Sequence, residues 1–225
     1  MELTRQKPII DISKVTDEIH IIGGGATGSN VALSLVKMGL IPHVWDYDKV
    51  EEHNLCNQMF FEKHIEELKV NAIQEVAELS GGDIIPHEDK VVKGNIRKIK
   101  GIVFVLVDSM SSRKTIYEGL KMNVKCKLLI ETRMGGKFGN IYTINPLNIH
   151  HCKEYEQTLY SDEEVVSESA CGSSVSIFPT ANIISNLAIW QFINYINEKE
   201  YSNDISINLE DLDLLEFKYK GGLSS

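Results

Sequence analysis

The stretch EIHIIGGGATGSNVALSLVKMGL, residues 18–40, decides the fold of this 225-residue chain. Its first five residues, EIHII, predict a short buried strand. The run NVALSLVKMGL carries apolar side chains at helical spacing and reaches Gly39, a residue that commonly ends a helix. A strand followed at once by a helix predicts the first half of a βαβ unit.

Between that strand and helix stand Gly23, Gly25 and Gly28, in the pattern G-x-G-x-x-G. The first glycine allows a tight turn, the second lets the backbone approach a phosphate, and the third lets the helix pack on the strand. The helix begins near Ala26, and its first N–H groups can bind an anion. The loop therefore predicts a nucleotide site.

The rest of the chain repeats the alternation of strands and helices. We predict strands in IPHVW, DIIPHEDKVV, GIVFVLVD and KCKLLIE, and helices over residues 62–79, 180–199 and in SSRKTIYEGLKM, the last capped by Ser111 or Ser112. GNIYTINP alternates like an antiparallel edge strand. Residues 148–176 are expected to form an irregular surface loop or crossover, and the tail predicts one or two late strands. The expectation is one α/β domain over residues 1–225, with a core at about 18–199 and a tail at 200–225. Its sheet would be Rossmann-like, doubly wound and mostly parallel, with late antiparallel strands.

Composition excludes several classes of protein. A net charge of −9 gives no basic surface for nucleic acid. We find no apolar run long enough for a membrane span and no signal-peptide pattern at the N-terminus. The four cysteines form no C-x-x-C pair, so no zinc site is expected, and we expect a cytoplasmic protein with free thiols.

Two acids end buried strands, where ligands of a doubly wound sheet bind. Asp46 follows the second strand, at the position where an acid hydrogen-bonds a ribose hydroxyl, and Asp108 follows GIVFVLV. The loop and Asp46 fit NAD and ATP equally well, so these residues alone leave the nucleotide open.

The longer run D-x-D-x-V-E-x-x-N-L-x-N-Q, from Asp46 to Gln58, separates these alternatives. Together with IIGGGATGSNVALSLVKMGL, LKVNAI, VLVDSMSSR, ETRMGG and CGSSVSIFPTANIISNLA, it resembles the ThiF/MoeB family, the bacterial relatives of ubiquitin-activating enzymes. The matching segments occur in the family order over roughly residues 18–190. An NAD(P)-dependent oxidoreductase would not be expected to carry this run, and no obvious hydride-transfer pair appears.

The resemblance implies adenylation with ATP and Mg²⁺. The C-terminal carboxylate of a small ubiquitin-like or sulfur-carrier protein would attack the α-phosphate and release pyrophosphate. Because relatives are homodimers, the resemblance also implies a homodimer. Asp46 would hold the ribose, Lys69 would offer charge to the phosphates, and Asp108 would bind Mg²⁺ or orient its ligands. The other residues expected at the nucleotide are Gly23, Gly25, Ala26, Gly28, Asp48, Asn54 and Ser109.

The chain departs from the family at position 57. The family reads N-L-x-R-Q, whereas Asn57 stands where the phosphate-binding arginine is expected. An amide brings no charge, which weakens phosphoryl catalysis. Three alternatives follow: compensation by Arg5 reaching into a partner subunit's site, a slow or retuned enzyme, or a catalytically weak nucleotide-binding subunit or scaffold of a modification system.

Two further sets of residues stay open at this level. Cys171, in SACGSS, is the better candidate for a thioester-forming nucleophile, with Cys152 as the alternative. Arg113 and Arg133 match family arginines less securely, and either functional or helix-surface roles fit them.

Overall fold

A computed structural model describes residues 2–161 and 175–219 of the chain. These residues form an eight-stranded sheet with the strand order β3-β2-β1-β4-β5-β6-β7-β8. The strands are β1 (Ile19–Ile22), β2 (His43–Trp45), β3 (Ile85–His87), β4 (Gly101–Val105), β5 (Cys126–Gly135), β6 (Phe138–Ile144), β7 (Asp204–Asn208) and β8 (Asp213–Phe217).

The first five strands pair in parallel, whereas β6, β7 and β8 add in antiparallel order. Every residue of β1 and β4 is buried, as expected for strands that are covered by helices on both faces. The predicted fold class, a Rossmann-like and mostly parallel sheet with late antiparallel strands, is confirmed. Both late strands predicted in the tail belong to the same sheet.

The helices are α1 (Ala26–Lys37), α2 (Lys69–Leu79), α3 (Met110–Leu120), α4 (Ile149–Gln157) and α5 (Phe178–Ile196). Helix α5 lies on one face of the sheet and contacts α1, where Ser185 Oγ donates to the Thr27 carbonyl at 3.0 Å. It approaches β6 so closely that a Cβ on Gly139 would lie 2.1 Å from Ile184. These contacts fix α1, and with it the glycine loop, against the sheet.

Four predictions on individual elements are wrong. Helix α2 begins at Lys69 and not at residue 62, because a 3-10 helix (Glu62–His64) and an extended Leu68 precede it. The cap of α3 is Ser109, whose hydroxyl accepts from the Ser112 N–H. Strand β6 is interior, since β7 covers its outer side. Residues 149–157 form α4, where an irregular loop was expected.

No helix within residues 2–161 and 175–219 combines the length and the apolar character that crossing a bilayer requires.

Candidate nucleotide-binding site

A cavity of about 470 Å³ opens at the carboxyl ends of β1, β2 and β4. Its volume falls within the range of small-molecule sites. The walls come from the glycine loop, the segment after β2, the first residue of α2, the loop after β3, and the start of α3. The parallel part of the sheet therefore places its loops where nucleotides bind in doubly wound folds.

The three glycines have different roles in this wall. Gly23 has a φ of +99° and lies so close to the Leu106 carbonyl that a Cβ would come within 2.6 Å of its oxygen. Gly28 faces away from the cavity and touches the Gly23 carbonyl, where a Cβ would lie 1.8 Å from the oxygen. Gly25, the N-cap of α1, lines the cavity with open space where a side chain would project. The backbone is thus exposed to a ligand at Gly25.

Asp46 closes the cavity at the end of β2. Its Oδ2 accepts from the Gly24 N–H at 2.6 Å and its Oδ1 accepts from the Asp48 N–H at 2.8 Å. The side chain is buried, and burial raises the pKa of its carboxyl, while Lys69 acts in the opposite direction. The carboxylate therefore joins the glycine loop to the loop after β2 and still lines the cavity.

Lys69 is the first residue of α2, and it is buried beside the same loop. Its Nζ lies 3.2 Å from Asp48 Oδ2, and its backbone N–H donates to the Asp48 carbonyl at 2.9 Å. An antiparallel bridge between Lys49 and Leu68 holds the two segments together. These contacts bring the lysine predicted for phosphate binding to the cavity wall.

The segment after Asp48 forms a 3-10 helix (Glu52–Cys56) that ends at Asn57. Asn54 is buried and accepts from the Glu51 N–H at 2.9 Å, in a reciprocal capping box with the Glu51 side chain. Asn57 donates from its amide to Ser176 Oγ, while its Oδ1 is buried without a hydrogen-bond partner. The position of the missing arginine is therefore held by neutral groups.

Asp108 lies exposed at the cavity edge, three residues beyond the last residue of β4. A carboxylate in that place suits a hard divalent cation such as Mg²⁺. Ser109, also predicted at the nucleotide, does not line the cavity, because its hydroxyl caps α3.

The helix-surface alternative for Arg113 and Arg133 is wrong. Both arginines contact Glu131, which is fully buried in β5, and Arg113 Nη1 lies 3.1 Å from its carboxylate. Arg113 also donates to the Thr132 and Val107 carbonyls, and Tyr155 donates its hydroxyl to Glu131. The guanidinium of Arg113 lines the cavity, but its donors are already engaged in this network.

The remaining sequence candidates lie elsewhere. Cys152 is buried in α4, 3.4 Å from the Pro146 carbonyl, which removes it as an accessible nucleophile. Arg5 is exposed in the N-terminal segment and does not line the cavity of its own chain. Cys171 lies outside the described residues, and its role stays a prediction.

Two other groups of histidines and carboxylates have the spacing of metal ligands: Glu18 with His20 and His43, and His64 with Glu67 and Glu75. In the first, Trp45 Nε1 donates to His20 Nδ1 at 3.1 Å, so neutral His20 carries its proton on Nε2, towards Glu18. In the second, the Phe61 N–H donates to the Nδ1 of His64 in the same way. These bonds favour hydrogen-bonded histidines over metal ligands.

Several lining residues were not predicted from the sequence, among them Tyr47, His53, Asp89, Lys90, and Ser176. Asp89 and Lys90 follow β3 at the same sheet edge as Asp46, so their position after a strand was the available signal. Ser176 reaches the cavity from the segment before α5. It belongs to the matching segment CGSSVSIFPTANIISNLA, but that match did not indicate a contact with Asn57.

The fold and this cavity define the class: a Rossmann-like α/β domain with a ligand cavity at the carboxyl edge of its parallel strands. The family model described as ThiF family matches residues 11–221. The chain belongs to the ThiF family, a family of adenylyltransferases related to ubiquitin-activating enzymes.

Solved structures share the fold at low sequence identity. The crystal structure of PaaA aligns with a TM-score of 0.75 and 14% identity, over 96% of this chain and 78% of PaaA. Escherichia coli MccB with ATP aligns at 0.70 and 14%, over 94% of this chain and 67% of MccB. The microcin C7 biosynthetic enzyme MccB with N-formylated MccA aligns at 0.73 and 16%, over 94% and 67%. A search of curated proteins gave no match.

Proposed function

We propose that the chain binds ATP and adenylates the C-terminal carboxylate of a small protein or peptide. The observation that carries this proposal is the meeting of Asp46, Lys69, Asp108 and the glycine loop around one cavity in a ThiF-family fold. MccB, which shares the fold, has been solved with ATP and with the peptide MccA, which supports a nucleotide and a small partner. Ubiquitin-like and sulfur-carrier proteins are the first candidates.

In this reaction a carboxylate oxygen of the partner attacks the α-phosphorus of ATP. The bond from that phosphorus to the bridging oxygen breaks, and pyrophosphate leaves. Asp46 and Gly25 both line the cavity, where Asp46 would bind the ribose and the Gly25 backbone would approach the phosphates. Lys69 would offer positive charge to the leaving group. Mg²⁺, held at Asp108, would neutralise further phosphate charge.

A homodimer would bring Arg5 of a second copy to the site. Arg5 is exposed and lies away from the cavity of its own chain, as this arrangement requires. Mixing an Arg5→Ala chain with a Lys69→Ala chain tests the idea, because only a shared site could recover one intact cavity. Recovered activity in the mixture supports the dimer, and additive loss contradicts it.

A second candidate is a nucleotide-binding subunit with weak or no adenylation activity. The neutral Asn57 and the engagement of Lys69 by Asp48 favour it, because both reduce the positive charge available to phosphates. Both candidates bind a nucleotide, and they differ in whether the partner's carboxylate is adenylated.

ATP–pyrophosphate exchange separates the two candidates. The assay uses Mg²⁺, labelled pyrophosphate and a panel of ubiquitin-like proteins and carboxyl-terminal peptides, with wild type, Lys69→Ala, Asp108→Ala and the exposed control Lys37→Ala. Exchange that is lost in the first two variants and kept in the control supports adenylation. ATP binding without exchange for any partner contradicts adenylation and leaves the binding subunit, whereas exchange that survives Asp108→Ala removes Asp108 from the reaction.

A further inference from the structure

Carboxylates outnumber lysine and arginine side chains around the cavity. The acids are Asp46, Asp48, Glu51, Asp89 and Asp108, and the three cations are Lys69, Lys90 and Arg113. A triphosphate adds several negative charges, and like charges repel strongly where solvent is partly excluded. A nucleotide with a polyphosphate therefore needs positive charge from a further source.

The three cations already have partners in the protein. Lys69 faces Asp48 at 3.2 Å, and Arg113 faces Glu131 at 3.1 Å. Arg113 cannot turn to a ligand without leaving the fully buried Glu131 carboxylate with one cation fewer. Lys90 Nζ lies 5.3 Å from the centre of the Tyr47 ring and is exposed, so it can move, but it follows β3 and not the segment that ends at Asn57.

His53 is the remaining basic side chain among the residues that line the cavity. It lies on the 3-10 helix Glu52–Cys56, four positions before Asn57, and both side chains line the same cavity. Its side chain is 70% exposed and is therefore free to turn, and its Nδ1 lies 3.4 Å from Glu51 Oε2. The imidazole and the neutral amide therefore line one cavity.

We propose that the His53 side chain contacts the phosphates of ATP and supplies the charge that Asn57 lacks. This inference rests on the proposed function. The Glu51 carboxylate on the same segment lies 3.4 Å from the His53 ring, and the Cys56 thiol donates to the backbone carbonyl of His53 at 3.2 Å. Across the cavity lie the acids and cations named above.

Calorimetric titration of Mg-ATP and of adenosine tests this role. We expect His53→Gln to weaken ATP binding about tenfold, the effect of one lost charged hydrogen bond. Adenosine, which has no phosphates, should bind both proteins alike. His53→Lys, which keeps a positive charge at this position, should bind ATP with an affinity close to that of wild type.

Two further variants make the test specific. His150→Gln removes an exposed histidine of α4 outside the cavity and should leave ATP binding unchanged. Adding Asn57→Arg to His53→Gln restores a cation in the same cavity and should recover ATP affinity. A double variant as weak as His53→Gln would contradict the proposal.

The outcomes also separate this inference from the proposed function. If wild type binds ATP and His53→Gln binds it equally well, the role of His53 is overturned while nucleotide binding stands. If wild type binds neither ATP nor adenosine, both the role of His53 and the proposed function are overturned.

Discussion

Lys69 Nζ lies 3.2 Å from Asp48 Oδ2, so the first residue of α2 is paired with the loop that follows β2. The lysine side chain is 11% exposed and the aspartate 48%, which places the pair at the boundary between the protein and the cavity. A phosphate that enters the cavity would compete with Asp48 for the ammonium group. The pair thus orients Lys69 before a ligand arrives and also limits its free charge.

The first prediction concerns the two members of this pair. Lys69→Ala should weaken ATP binding about tenfold and lower pyrophosphate exchange by about two orders of magnitude, because it removes a charge from the phosphates. Asp48→Asn should keep ATP affinity equal to that of wild type or increase it, since Lys69 remains and one negative charge is lost. Isothermal titration and the exchange assay measure both. A Lys69→Ala chain that binds ATP as tightly as wild type would remove Lys69 from the site.

The second prediction follows from a buried histidine in β1. Burial, together with the neighbouring His43, lowers the pKa of His20 to about 4 from its ordinary value of 6.5, although Glu18 acts in the opposite direction. As the pH falls, His20 therefore binds a proton in the unfolded chain at a higher pH than in the folded chain. The contribution of neutral His20 to the free energy of unfolding is fully present above pH 6.5, and it is lost as the pH falls towards 4. Between pH 7.5 and pH 5 this loss is about 2 kcal/mol.

Urea unfolding at the two pH values, for wild type, His20→Gln and His150→Gln, measures this effect. The free energy of unfolding of His20→Gln should fall less between pH 7.5 and pH 5, by about 2 kcal/mol, because glutamine does not titrate. The exposed His150 serves as the control and should leave the pH dependence as in wild type. Equal pH dependence in all three proteins would contradict a buried, neutral His20.

The third prediction concerns Glu131, which is fully buried and contacts Arg113, Arg133 and the Tyr155 hydroxyl. Glu131→Gln removes the charge that both guanidinium groups face, and the expected loss in the free energy of unfolding is about 3 kcal/mol. Glu210→Gln disrupts only an exposed pair with Lys137 and should cost less than about 1 kcal/mol. Chemical denaturation compares the two. A loss for Glu131→Gln as small as the control would mean that the arginines are satisfied without it.

Periodicity predicted the parallel half of the sheet correctly, because the buried strands and amphipathic helices there carry strong local patterns. It failed where tertiary contacts decide the structure. Helix α2 begins at Lys69, since residues 66–68 are tied to the loop after β2. Strand β6 resembles an edge strand by alternation, yet β7, distant in sequence, covers it.

The residues of the candidate site divide in the same way, into those that local sequence patterns indicate and those that only tertiary contacts bring to the cavity. Asp46, Lys69 and Asp108 belong to motifs, and the sequence indicates them as a set. His53 and Ser176 also lie within matching segments, but at positions that the motifs do not specify. Only the folded chain brings the segment before α5 beside the 3-10 helix after β2. Arg113 matched a family motif, but its partner Glu131 lies in β5, so its buried position could not be read from α3 alone.

The last prediction contrasts two glycines of one loop. A Cβ on Gly28 would lie 1.8 Å from the Gly23 carbonyl oxygen, whereas a Cβ on Gly25 meets nothing within 4 Å and projects into the cavity. Gly28→Ala should therefore separate α1 from the loop and destabilise the fold by about 2 kcal/mol or more. Gly25→Ala should fold with wild-type stability and bind ATP at least tenfold more weakly, because the methyl group occupies the space in which a phosphate approaches the backbone. Thermal unfolding and ATP titration of both variants separate packing from binding, and a Gly25→Ala chain that binds ATP normally would place the phosphates away from this loop.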